Sequence, residues 1–136
     1  MKSYELIEHT ADVGVKAYGK TLAEAFEHAA KGMFDIITDE SKIKPVGQYD
    51  ISLEAPDLEQ LLVDWLSQLL FLNGAQNLVF GKFEVMVAGN RLSAHVFGEK
   101  YDTKKHKMGV EIKAVTYHMV EVHEKNPIFV QVLFDI

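Results

Sequence analysis

Apolar and polar residues follow two different periods along this 136-residue chain, and each switch of period marks an element. Tyr4 to Glu8 is a short bounded run that predicts a strand. Thr10-Ala11-Asp12-Val13-Gly14 reads as a turn, and Val15 to Gly19 alternates with period two as a second strand. The period then lengthens. Thr21 is a natural N-cap with Glu24 three residues on, a capping box. Leu22, Ala25, Phe26, Ala29, Met33 and Ile36 follow at steps of three and four, which predicts an amphipathic helix from Thr21 to Ile37. Asp39 to Gly47 is polar and contains Pro45, hence a loop. Tyr49, Ile51 and Leu53 fall on one face of a strand that Pro56 ends.

Asp57 caps a second helix whose apolar stripe runs through Leu58, Leu61, Leu62, Trp65, Leu66, Leu69 and Leu70. Asn73-Gly74 is its predicted stop. Leu78 to Val87 and Leu92 to Phe97 flank Ala88-Gly89-Asn90-Arg91 as a hairpin. Lys100 to Gly109 is a basic loop, Val110 to His123 a β-branched and aromatic strand segment, and Ile128 to Ile136 a last strand after Asn126-Pro127. The order β-β-α-β-α and then strands predicts an α+β fold, two helices on a mostly antiparallel β-sheet. No linker or repeat divides residues 1–136, so they read as a single domain.

Composition adds constraints. Apolar residues make up 48% and charged residues 25% of the chain, which excludes wholesale disorder. Without cysteine there are no disulfides, thiolate metal sites or thiol nucleophiles. The net charge is −6, and Arg91 is the one arginine. Proteins that grip a phosphate backbone carry a basic stripe with arginine prominent, so tight direct nucleic-acid binding is not expected. No run of about 18 apolar residues predicts a membrane span, and no apolar segment behind Met1-Lys2-Ser3 predicts a secretory signal. The expected compartment is the cytoplasm.

Candidate chemistry is sparse. Asp135 and the carboxylate of Ile136 sit side by side at the end of the last strand, where a lysine, water or a hard cation would relieve their repulsion. The alternative is two solvated carboxylates at a sheet edge. Asp12 either closes an Asx-turn or supplies a third carboxylate, and spacing alone does not bring it beside Asp135. Gly98 to Lys107 holds the dense basic cluster, which is either a solvated loop or a contact for phosphate or an acidic partner. In a strand, Glu111 and Lys113 share one face and can pair, and a lone His118 makes no catalytic site. There is no GxxxxGK[ST] loop, GxGxxG, GxSxG or HExxH, so no enzyme machinery is predicted.

Taken together, the motifs are similar to those of the archease family. They are His9-Thr10-Ala11-Asp12-Val13-Gly14, Ala17-Tyr18-Gly19, the Thr21 to Phe26 helix opening, Leu62-Val63-Asp64-Trp65-Leu66 with Leu69 to Leu72, Gly98-Glu99 with His106, Glu111 to His118, and Phe134-Asp135-Ile136. The resemblance implies a non-catalytic accessory factor of an RtcB-type tRNA-splicing RNA ligase. Such a factor promotes ligase guanylylation and multiple turnover and can broaden the nucleotide the ligase accepts. It implies a metal site of Asp12, Asp135 and Ile136, the last through its carboxylate, holding Ca2+, with Mn2+ or Mg2+ as other ions. Lys113, His106 and Glu111 are the candidate contacts with ligase or nucleotide. Competing readings are a chaperone for a tRNA-modifying enzyme such as a methyltransferase, a metal-dependent hydrolase built on the carboxylates, and a direct RNA binder.

Overall fold

A computed structural model describes residues 3–8 and 12–136. Strands β1 (Tyr4–Glu8) and β2 (Asp12–Tyr18) lead into helix α1 (Leu22–Ile37). A 3-10 turn (Glu40–Lys42) and β3 (Gly47–Glu54) precede helix α2 (Leu58–Gln76). Strands β4 (Leu78–Ala88), β5 (Arg91–Lys100), β6 (Ala114–His123) and β7 (Phe129–Asp135) complete the order. The predicted α+β class holds, but the strands divide into two antiparallel sheets rather than one. One sheet has the order β1-β2-β7-β6 and the other β3-β5-β4.

Local chemistry explains most boundaries. Thr21 caps α1 by accepting the Glu24 N–H at 3.1 Å. Glu24 reaches back to the Lys20 N–H at 3.0 Å, one residue before the cap. Asp57 caps α2 through the Gln60 N–H at 2.8 Å. The β4–β5 hairpin turns on Gly89, whose φ of 60° suits a residue without a Cβ.

Four boundaries depart from the prediction. Strand β5 runs past Phe97 to Lys100, because β4 supplies ladder partners as far as Leu78. Helix α2 runs past Asn73-Gly74 to Gln76, because Asn77 takes the left-handed conformation and its N–H bonds the Leu72 carbonyl. Asn73 instead donates its side-chain amide to the Leu78 carbonyl at 2.9 Å. Asp12, Val13 and Gly14 lie in β2 and not in a turn, because β7 supplies a full ladder for them. Thr10 and Ala11, also assigned to that turn, and His9 lie outside the described residues. Finally, Val110 to Lys113 stay out of β6. Their neighbourhood bonds the end of α1: the Gly109 and Val110 N–H groups each reach the Ile37 and Ile36 carbonyls at 2.9 Å. These are helix-end carbonyls with no partner inside the helix.

The core lies between the sheets and the two helices. Trp65 of α2 and Phe26, Met33 and Phe34 of α1 are fully buried with Phe80 of β4 and Phe134 of β7. The Trp65 indole N–H donates to the Phe26 carbonyl at 3.1 Å, so the largest side chain is buried with its polar atom satisfied. One continuous cluster joins both sheets, from Val15 and Val132 on one to Ile51 and Val96 on the other. It fixes where the ends of β2 and β7 lie.

Candidate functional site

Strand β2 pairs with β7 in antiparallel register, and that register sets Asp12 opposite Asp135. The sequence had left this proximity open. Below the pair the ladder is apolar on its core side: Val13 faces Phe134, Val15 faces Val132 and Ala17 faces Val130. A slip of one residue would turn these core side chains to the opposite face, so burial holds the two aspartates in place. Directly opposed residues put their Cβ atoms about 4.5–5.5 Å apart on the same face. Like charges placed directly opposite one another work against the pairing of a sheet.

Strand β6 adds a third wall. Ala114 lies opposite Asp135 on the other side of β7, and the Lys113 N–H donates to the Asp135 carbonyl at 2.8 Å. Asp135 is exposed and Ile136 follows it, 42% exposed. The donors here are oxygens, which suit a hard divalent cation and not a thiophilic one. Among the described residues no three His, Asp or Glu side chains converge into a ready cation cage. The fit is therefore of two opposed side-chain carboxylates, with any further oxygen ligands coming from main chain, water or a partner.

The three candidate contact residues separate. Lys113 and Glu111 are exposed on the segment that enters β6, and Lys113 borders the carboxylate corner. They do not share a strand face as predicted, because residues 111–113 precede the strand. His106 is only 2% exposed, and both ring nitrogens are occupied within the chain. Its Nδ1 accepts the Asp102 N–H at 2.8 Å, so the ring proton sits on Nε2 and faces Glu99 Oε2 at 3.0 Å. The ring also stacks on Tyr101 with centroids 5.6 Å apart.

Glu99 is the hub that sequence reasoning missed. Besides His106 it accepts the Lys44 N–H at 2.8 Å and the Lys105 ammonium at 2.6 Å. Burial works against its charge, but the bonds from Lys105, the Lys44 N–H and His106 outweigh that, and its carboxyl is pushed down to about 2. The signal was present as Gly98-Glu99 followed by His106, but spacing does not say which side chains meet.

At the opposite end of the β2–β7 ladder, Tyr18, Lys20 and Pro127 border a surface hollow of about 750 Å³. No predicted site residue lines it. No described helix is long and apolar enough to cross a membrane.

Comparison with known proteins supplies the context. The model of the Archease protein family (MTH1598/TM1083) matches residues 4–136. Protein archease of Methanosarcina barkeri is 46% identical over 126 residues, which cover 89% of this chain and 86% of that protein. The solution structure of Methanobacterium thermoautotrophicum protein 1598 superposes with a TM-score of 0.86 at 35% identity, covering all of both chains. A crystal structure from Thermotoga maritima, described as an archease and possible chaperone, gives a TM-score of 0.59 at 21% identity. It covers 97% of this chain and 96% of that one, a likeness of fold alone.

Proposed function

The chain belongs to the Archease family, and from that premise we propose that it is an accessory factor of an RtcB-type tRNA-splicing RNA ligase. In this reading it promotes guanylylation of the ligase and multiple turnover, and it is not itself the catalyst. The observation that carries the reading to particular residues is the register of β2 on β7, which sets Asp12 against Asp135. These residues belong to two of the motifs that carry the family resemblance.

The proposed working part is this carboxylate corner. Asp12 and Asp135, with the carboxylate of Ile136, hold a divalent cation: Ca2+ as the bound ion, with Mn2+ or Mg2+ in its place when the ligase supplies them. A hard cation relieves the repulsion between the opposed aspartates and leaves coordination positions for water or partner oxygens. Docked near the ligase active site, the corner helps to place nucleotide phosphates for attack by the ligase histidine. Lys113 lies beside the corner as a candidate contact with the ligase or its nucleotide, and Glu111 lies two residues before it. The activity belongs to the cytoplasm, with the ligase and its RNA.

The test is a ligase guanylylation assay with and without the chain, at varied Ca2+, Mn2+ and Mg2+. Asp12→Ala and Asp135→Ala should each weaken Ca2+ binding by at least about tenfold and remove most of the stimulation. Wild-type stimulation by both variants would overturn the role of the corner. An extension placed after Ile136 tests the third ligand, since it removes the carboxylate from that position.

A further inference from the structure

Residues 101–113 form neither helix nor strand, yet they are tied down along their length. At the start, Glu99 gathers the Lys44 N–H, the Lys105 ammonium and the His106 ring, three donors from two separate stretches of chain. His106 returns a bond by accepting the Asp102 N–H, which closes the turn from Asp102 to His106. Next, the Thr38 hydroxyl, on a residue only 4% exposed, donates to the Lys107 carbonyl. Gly109 and Val110 cap the α1 carbonyls. A Cβ on Gly109 would stand 2.3 Å from the Ile36 carbonyl oxygen, so the strap lies flush on the helix end. Ile112 is buried, and Lys113 closes the path on the Asp135 carbonyl.

The pair of buried His106 and half-buried Glu99 thus stands at one end of a hydrogen-bonded strap, and the carboxylate corner at the other. The strap also carries Lys104, Lys105, Lys107 and Lys113 in a chain of net charge −6. A segment with no helix or strand ladder of its own opens easily unless side chains hold it. A buried polar pair with all its bonds made specifies one conformation.

We propose that Glu99 and His106 are positioning residues for the accessory function: they lock the 101–113 strap and so set Lys113 against Asp135 at the carboxylate corner. The inference rests on reading that corner as the working site. It gives His106 a different task from the surface contact expected of it. The ring acts from inside the molecule, through the strap, on residues that meet the partner.

The experiment combines amide hydrogen exchange with the guanylylation assay on Glu99→Ala, His106→Ala and His106→Gln. In the two alanine variants, exchange at Gly109, Val110 and Lys113 should speed up by at least about tenfold, the scale of a lost hydrogen bond to a charged group. Core amides of β2 and β7 should keep their protection. Maximal stimulation of the ligase should fall by a similar factor, with little change in the concentration giving half of it. His106→Gln retains a donor for Glu99 and should recover part of both effects. It also serves where an alanine variant does not fold. Unchanged exchange at Lys113 overturns the inference whatever the ligase does. Faster exchange with full stimulation overturns it too, since the pair would then serve structure alone. If the wild-type chain gives no stimulation, the ligase reading fails, while exchange still decides whether the pair sets the strap.

Discussion

Gly98 lies against the backbone of β4, where a Cβ would come within 1.9 Å of the Val79 carbonyl oxygen. The neighbour is main chain and cannot rotate away, so Gly98→Ala should cost about 2–3 kcal/mol, read from a urea unfolding curve. Gly74 faces open space on the last turns of α2. There the same substitution removes unfolded-state freedom without a clash and should add roughly 0.5–1 kcal/mol. Glu99 makes a pH prediction with a definite sign. Its carboxyl titrates at about 2 in the folded chain against an ordinary 4.5. A depressed carboxylate stabilises the fold above the ordinary value, and that stability drains away as pH falls from 4.5 through 2. Melting temperatures of wild type and Glu99→Gln should therefore differ most near neutral pH and converge only as pH falls to about 2. A gap that widens in acid would contradict the clamp.

Elements whose signals are local were legible in the sequence. The α1 cap at Thr21, the α2 cap at Asp57 and the Gly89 hairpin all follow from residues within a few positions of one another. Thr21→Ala should cost about 1 kcal/mol, seen in the same unfolding measurement, because the Glu24 N–H loses its acceptor. Elements whose limits depend on a distant partner were not legible. Asn73-Gly74 is a sound stop signal, but Asn77 offers the left-handed turn just before β4 must begin. The β-branched run at Val110 suggests a strand, yet its N–H is claimed by the end of α1. A missing sheet boundary has the same cause. Alternation shows which face of a strand is apolar, but not whether β5 lies beside β4 and β3 or beside β6.

Across the whole molecule, the candidate site was legible as residue types and not as a place. Asp12 and Asp135 could be singled out, but only the β2–β7 ladder joins them, and His106 proved to be inside the fold. A ligand that bridges the folded pair must stabilise the entire structure, since the unfolded chain does not hold the two aspartates together. Calcium at about one hundred times its dissociation constant should add about 2.7 kcal/mol, seen as a raised melting temperature. In Asp12→Ala the rise at the same ion concentration should be no more than about half as large, and an equal rise in both proteins would place calcium elsewhere. The pairing of β2 with β7 also has a consequence in time. The strands join residues about 120 positions apart, and contacts that distant are slow to form because a long loop must close first. As the chain leaves the ribosome, Asp12 waits for its partner strand through the synthesis of both helices and the whole three-stranded sheet. The corner therefore exists only once β7 has paired with β2, and a copy without β7 does not form it.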